Sequence, residues 1–364
     1  MKKIHVNLGK RSYDIHIGRG VSGRMRSIVP KGLLDRPILV VTNRKIMKAV
    51  GGVRLIGSIG RKGDRPEVML LPDSERAKSF ATYADIIRRL SAIGKGIAPL
   101  VIALGGGVVG DVAGFAAATY RRGVPYVQMP TTLLAQVDSS IGGKVAIDLP
   151  QAKNLVGAFY QPSAVVADLA FLSTLPAGEM RNGMAEVIKY GVIKDAGFFA
   201  LLESRMQDVL KGKRALLEYV VSRCASIKAG CVSKDEFDVS GVRVALNYGH
   251  TFAHAIETAF GYSRGHTHGE SVAVGMVMAA RLSLRMGLTD RKTVNRIISV
   301  IEKAGLPSSI RRSDEPSMMS ALEYDKKFVA GKNRFVVPVR IGRVITREGV
   351  SSKSIISVIR ESTG

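Results

Sequence analysis

The sequence predicts an α/β fold, with a doubly wound parallel sheet in an N-terminal domain over residues 1–175 and a mainly α-helical domain over residues 176–364. Three observations carry that expectation. Short apolar runs alternate with stretches of helical spacing up to about residue 168. One of those runs ends in three glycines, Gly105-Gly106-Gly107. Beyond Leu172-Ser173-Thr174-Leu175-Pro176 the text turns to one helix pattern after another. A chain of 364 residues with 46% apolar residues can bury a sizeable core, and its length favours two domains over one.

Taken in order, residues 4–8 and 13–17 alternate with period two around Gly9-Lys10-Arg11-Ser12, which has hairpin composition. His5 and His16 lie in this hairpin without partners nearby in sequence and read as strand-surface residues. Residues 37–42 and 67–71 read as buried strands, and 79–93 carries a helical stripe of Phe80, Tyr83, Ile86, Ile87 and Leu90. Alternation of this kind puts a ligand outside the carboxyl ends of the strands, the edge shared by Asn43, the loop Pro72-Asp73-Ser74-Glu75 and the glycine turn. Residues 100–104 form a strand, 108–119 a helix, and a second strand leads into a polar loop that continues through residues 151–154. Residues 164–168 make a last short strand. Helices are expected at 178–194, 197–210, 216–231, 247–260, 271–286 and 292–303, then a β-like patch at 335–338 with 344–346, and a terminal helix at 352–361. There is no internal repeat and no low-complexity segment.

No apolar run reaches the roughly 18 residues of a membrane span, and Met1-Lys2-Lys3 leads into alternating residues, so a cytoplasmic protein is expected. Cys224 and Cys231 match neither a metal pair nor a disulfide framework and read as fillers in a reducing compartment. The 54 Lys and Arg against 30 Asp and Glu leave a net charge of +24. Those charges are scattered in pairs such as Arg88-Arg89 and Arg311-Arg312 without interleaved aromatics, which favours an anionic small-molecule ligand over nucleic acid.

The glycine turn ends a strand and opens a helix, where free N–H groups and the positive end of the dipole favour a phosphate. Gly105-x-Gly107-x-x-Gly110 fits the dinucleotide fingerprint, but no acid stands about 20 residues later, so the pattern alone fits a nucleotide site or a tight turn. The helical half supplies metal-ligand chemistry. Four of the six histidines fall between positions 250 and 268; His250 and His254 share a helix face at i, i+4, His268 stands just before another helix, and Glu186 shares a face with Lys189. Three protein ligands with an open position would make a catalytic zinc site. Lys144, Lys153, Asn154, Lys228, Arg243, Asn247, Lys326 and Lys327 are anion-binding candidates, with Lys144 and Lys153 on the loop that also carries Asp138.

Together these segments resemble the 3-dehydroquinate synthases of the sugar-phosphate cyclase family. The resemblance runs through LPDSERAKS at 71–79, the whole of 105–144, KNLVGAFYQP at 153–162, RNGMAEVIKYG at 181–191, LNYGHTFAHAIE at 246–257, HGESVAVGM at 268–276 and DKK at 325–327. It implies a dinucleotide-binding domain followed by a metal- and substrate-binding domain, with NAD and one divalent metal, usually zinc with cobalt as the alternative. It also implies the reaction: 3-deoxy-D-arabino-heptulosonate 7-phosphate is oxidised transiently by NAD, loses phosphate, is reduced again and closes by an aldol step to 3-dehydroquinate, in the route to aromatic amino acids.

By position in those motifs, Glu186, His250 and His268 match metal ligands, whereas spacing alone would pair His250 with His254. The resemblance puts Asp138, Lys189 and His254 at the ring hydroxyls. It puts Lys144, Asn154, Arg243 and Arg122 at the phosphate, Arg122 reaching over from a neighbouring subunit, which implies a homodimer. Lys228, Asn247 and Lys326 match the carboxylate contacts, and Glu75, Lys78, Gly106, Gly107, Asp111, Thr131, Thr132, Lys144 and Lys153 the cofactor contacts. Two departures stand out. The stretch from Asp235 to Arg243 is one residue longer than the family pattern, which leaves Lys234 as a competitor of Lys228. Asn43 stands where many relatives carry an aspartate near the adenosine ribose.

Overall fold

The computed structural model describes residues 1–60, 65–149, 152–259, 267–311, 315, 317–318 and 333–363. The chain divides into two compact units, Met1–Met180 with Leu217–Phe237, and Arg181–Leu216 with Asp238–Gly364. The segment Leu217–Phe237, expected within the second domain, therefore groups with the first unit.

The first unit is built on a seven-stranded sheet in the order β1-β2-β9-β6-β5-β3-β4. Its strands are β1 (Lys2–Val6), β2 (Tyr13–Gly18), β3 (Ile38–Asn43), β4 (Glu67–Leu71), β5 (Leu100–Gly105), β6 (Tyr126–Pro130) and β9 (Ala164–Asp168). Only the opening hairpin β1/β2 is antiparallel; every other pairing in the sheet is parallel. Alternate residues divide between two cores, which is why the strand sequences read as continuous apolar runs. On one face Leu39, Val41, Val101 and Ala103 pack under helices α4 (Phe80–Ile93) and α5 (Gly107–Thr119). On the other, Val40, Leu100, Ile102, Leu104 and Val127 pack against the short helix α1 (Met25–Ile28) and α3 (Gly52–Ile59). Helix α2 (Arg44–Ala49) starts directly from β3, its first turn capped by the Asn43 side chain, which accepts from the Ile46 amide at 2.8 Å.

Two expectations need correction here. The polar loop after residue 143 is instead a separate hairpin, β7 (Lys144–Leu149) with β8 (Ala152–Phe159). Its apolar alternation is brief: Val145 and Ile147 turn into the core under α5, with Val156 and Ala158 packed against it, while Leu155 and Phe159 stay exposed. His16 is buried at 5% exposure rather than on a strand surface, because β2 is flanked by β1 and β9. His5, on the edge strand, is exposed and bonded to Asp14 at 2.8 Å.

The second half is helical, with α6 (Ala177–Lys194), α7 (Ala196–Leu210), α8 (Arg214–Lys234), α9 (His250–Ala259), α10 (His268–Arg285), α11 (Arg291–Lys303) and α12 (Ser352–Glu361). A two-stranded ribbon, β10 (Arg334–Arg340) with β11 (Arg343–Glu348), packs on α10. The helix expected from residue 247 begins instead at His250, because Gly249 adopts a positive φ of 83° between a 3₁₀ turn, Val242–Asn247, and α9. Helices α9 and α10 lie very close: a Cβ on Gly275 would stand 2.2 Å from the Gly249 carbonyl oxygen. Among the described residues no helix is long and apolar enough to cross a membrane. Cys224 and Cys231 are not joined in a disulfide, and the first is buried.

Candidate active site

In the first unit three cofactor candidates, Glu75, Asp111 and Lys153, gather around a fourth, the buried ammonium of Lys78. Lys78 Nζ lies 2.8 Å from Asp111 Oδ2, bonds Asn154 Oδ1, and stands 3.8 Å from Asp148 and 4.0 Å from Glu75. Lys153 reaches Glu75 from the other side at 3.4 Å. Local structure holds this geometry. The Asp148 amide donates to the Lys78 carbonyl oxygen at 2.8 Å, and Asp148 Oδ1 accepts from the Asn154 amide at 2.8 Å. Asn154 itself sits in the left-handed region at φ 54°, a conformation asparagine tolerates. Burial works against charge on Lys78, but Asp111, Glu75 and Asp148 outweigh it and raise its pKa. Burial also dominates at Asp111, pushing its carboxyl up to about 6 although Lys78 pulls it down. Asp148 was not singled out by sequence; its place six residues before Asn154 in a polar stretch was the available signal.

The glycine turn opens α5, whose first amides have no partner within the helix. A Cβ on Gly107 would come within 3.2 Å of Ser139 Oγ, and one on Gly106 within 3.2 Å of Thr132 Cγ2, so bare backbone lines this cradle. Thr131 is buried beside it, its amide donating to the Gly105 carbonyl oxygen at 3.0 Å, and Thr132 Oγ1 accepts from the Ala135 amide at 3.1 Å. The cradle fits a pyrophosphate. The residue where the fingerprint acid would have stood, Gln128, turns inward and donates to the Gly110 carbonyl oxygen at 3.4 Å.

Asp138 lies on a π-helical turn, Ala135–Ser139, which closes with the Ser140 amide donating to Ala135 at 3.2 Å. Lys228 of α8 clamps it: Nζ lies 2.8 Å from Asp138 Oδ1 and donates to its carbonyl oxygen at 2.8 Å. Lys228 is buried, whereas Lys234, its competitor, is exposed at the end of the same helix. Lys144 is exposed, with Nζ 5.8 Å from the Phe159 ring centroid. Arg121 and Arg122 both take positive φ, 48° and 61°. Arg121 is tied to the Gly94 carbonyl oxygen at 2.8 Å and lies over Tyr120, and Arg122 is exposed with no hydrogen bond or ion pair among the described residues.

In the second unit Glu186, His250 and His268 present ligand atoms that all lie within 4.8 Å of one another. Helix α6 supplies Glu186, 1% exposed, and Lys189 one turn on, which pairs with Glu186 Oε2. The first residues of α9 and α10 supply the histidines. Each turns Nε2 toward Glu186 Oε1, at 3.6 Å for His250 and 3.8 Å for His268. Each anchors Nδ1 elsewhere, His250 on the Tyr248 carbonyl oxygen at 3.3 Å and His268 on Glu257 Oε1 at 2.9 Å. Burial, with Lys189 nearby, pushes His250 down to about 3. Burial opposes charge on His268 too, but Glu186 and Glu257 overcome it and raise the ring to about 10. One carboxylate oxygen and two imidazole nitrogens on rigid helices are the donor set of a divalent zinc- or cobalt-type centre, and a cation there would displace the His268 proton.

His254 stands beside the triad, its ring centroid 5.8 Å from that of His250, on the exposed side of α9. Arg243 is buried in the 3₁₀ turn and Asn247 exposed at its end. Lys326 and Lys327 lie outside the described residues. Sequence reasoning missed Glu257 and Asn182. Asn182 Oδ1 accepts from the Gly269 amide at 2.5 Å, and a Cβ on Gly269 would meet the Asn182 carbonyl oxygen at 2.2 Å, which fixes α10 against α6. Glu257 stands seven residues after His250 and so on the same helical face, a spacing that does not by itself distinguish it from a solvated glutamate.

A parallel dinucleotide-type sheet, a bare-backbone phosphate cradle and a carboxylate–bis-imidazole centre define a nucleotide- and metal-dependent enzyme class. Profiles described as 3-dehydroquinate synthase N-terminal and C-terminal match residues 68–182 and 183–328. A curated 3-dehydroquinate synthase of Pelotomaculum thermopropionicum is 42% identical over 100% of this chain and 98% of its own length. The chain belongs to the 3-dehydroquinate synthase family. Among solved structures, 2-deoxy-scyllo-inosose synthase with carbaglucose-6-phosphate, NAD+ and Co2+ superimposes with a TM-score of 0.88 at 27% identity, covering 99% of this chain and 100% of that one. The 2-epi-5-epi-valiolone synthase ValA of Streptomyces hygroscopicus, with NAD+ and Zn2+, gives a TM-score of 0.85 at 27% identity over 98% of each chain.

Proposed function

We propose that the protein converts 3-deoxy-D-arabino-heptulosonate 7-phosphate to 3-dehydroquinate and phosphate, using NAD and one divalent metal, zinc or cobalt. The observation that carries this reading is the 42% identity to a 3-dehydroquinate synthase along the entire chain. Glu186, His250 and His268 hold the metal, and the α5 cradle with Glu75, Lys78, Asp111, Thr131, Thr132, Lys144 and Lys153 holds NAD. When bound, NAD takes and returns a hydride at a ring carbinol while the cation polarises that oxygen.

The chain's own residues bind, orient and move protons. Asp138, held still by Lys228, serves the ring hydroxyls with Lys189 and His254, three groups of different basicity suited to proton transfer. Lys144, Asn154, Arg243 and Arg122 hold the phosphate as it leaves; the exposed, outward Arg122 suits a residue lent to a neighbouring subunit, so the working form is a homodimer. Lys228, Asn247 and Lys326 serve the carboxylate. Holding a flexible dianion in one reactive pose is positioning work, for which fixed cations are suited. The diffuse positive charge serves this anionic substrate and not nucleic acid, and the reduced cysteines Cys224 and Cys231 agree with a cytoplasmic site of action.

A substrate panel tests the assignment. Phosphate release is expected from the carboxylate-bearing heptulosonate phosphate and not from glucose 6-phosphate or sedoheptulose 7-phosphate. Release from either neutral-headed sugar alone would move the protein to a deoxy-inosose- or valiolone-forming cyclase.

A further inference from the structure

Glu257 has no place in the reading above, yet its Oε1 lies 2.9 Å from His268 Nδ1, closer than the 3.3 Å between His250 Nδ1 and the Tyr248 carbonyl oxygen. We infer that Glu257 is the positioning residue of the metal centre, fixing His268 in the tautomer and orientation that present Nε2 to the cation. The inference rests on the metal site proposed above.

Three features point to this role. First, the contact settles the ring's chemistry. A carboxylate only accepts, so His268 Nδ1 carries the donated hydrogen, and Nε2, facing Glu186 Oε1 at 3.8 Å, is the nitrogen that gives up its proton to a cation. Second, His268 needs a tether that His250 does not. It is the first residue of α10 and its side chain is 36% exposed against 17% for His250. The Thr267–Glu270 capping box fixes the backbone there, with the Thr267 amide donating to Glu270 at 2.7 Å, but it leaves the ring free to turn about its own bonds. Third, the same helix supplies ligand and support. His250 and Glu257 lie two turns apart on one face of α9, so the support for the α10 ligand moves rigidly with the α9 ligand.

The two histidines are thereby made unequal. His250 leans on a neutral backbone carbonyl at 3.3 Å, whereas His268 leans on an anion, which makes its Nε2 the stronger electron donor. Glu257, 12% exposed on its side chain, is shielded enough for that bond to persist.

The test measures cobalt and zinc affinity of the full-length chain by competition with a chelator, with NAD affinity followed in parallel and the cobalt visible spectrum recorded. Glu257→Ala is expected to weaken metal binding about 10- to 100-fold and to change the cobalt band pattern. Glu257→Gln, which keeps an acceptor oxygen without the charge, should recover part of the loss. Both variants should bind NAD and unfold, metal-free, as the parent does. A Glu257→Ala chain that binds cobalt with parental affinity and spectrum overturns the positioning role while leaving the metal centre standing, and so does a Gln variant no better than Ala. Failure of the parent chain to bind either metal overturns the centre itself, and the role with it.

Discussion

Replacing Glu186 by Gln is expected to strip the chain of its metal and of phosphate release together, while NAD binding persists. The carboxylate is 1% exposed, and its Oε1 is the atom that both histidine Nε2 atoms face, at 3.6 and 3.8 Å. An amide keeps the shape but loses the anion, so no carboxylate remains among the three ligand positions to offset a divalent charge beside Lys189, which is itself 2% exposed. The loss of affinity should exceed the roughly 10- to 100-fold that follows removal of a residue supporting a ligand. Equilibrium dialysis with zinc, beside the phosphate assay, measures both; a variant that still binds one equivalent of zinc with parental affinity would show that Glu186 is no ligand.

The second large effect belongs to Lys78→Met. Lys78 is 4% exposed on its side chain and is the shared partner of Asp111, Asp148, Glu75 and Asn154. Removing it leaves Asp111, with a side chain only 21% exposed, ionised without its nearest cation. Breaking a buried pair from one side costs about 3–5 kcal/mol, and NAD binding should fail alongside.

The pH dependence has a defined sign. The Asp111 carboxyl is held at about 6 in the folded chain, above its ordinary 3.8, so the folded state binds more protons than the unfolded state between those values and stability declines as pH rises across them. Without Lys78 the carboxyl moves higher still. The variant's deficit should therefore shrink as Asp111 takes its proton on acidification. The raised pKa of Lys78 itself contributes stability that is complete below its ordinary 10.5 and disappears only as pH passes the folded value. Denaturant midpoints at pH 5 and pH 8 make the comparison; a deficit equal at both would contradict this account of Lys78.

Much of the fold was legible because parallel strands covered on both faces have no choice but to be apolar, so residues 100–104 and 164–168 announced themselves. The β7/β8 hairpin was not, because it spends its sequence on Asp148, Lys153 and Asn154, whose polar side chains serve the Lys78 cluster and hide a period-two pattern that puts only Val145 and Ile147 of β7 into the core under α5. His16 misled for a related reason: local sequence cannot report that a third strand, β9, closes over β2 from 150 residues away in the chain. At the metal centre, spacing favoured His250 with His254, since i, i+4 neighbours always share a face. The structure turns His250 toward Glu186 and His268, and the ligand set became readable only through motifs from three separate segments. Glu257 was invisible because a glutamate on a helix surface looks the same whether it faces water or a histidine.

The central claim is that phosphate leaves through a redox cycle that closes on itself. The measurement is phosphate release from 3-deoxy-D-arabino-heptulosonate 7-phosphate by the chain loaded with NAD and zinc, with absorbance at 340 nm followed in the same cuvette. The account predicts many turnovers of phosphate per chain with no net gain at 340 nm, and silence after chelation that zinc reverses. Accumulation of NADH in step with substrate consumed, or undiminished release after the metal is removed, would contradict it.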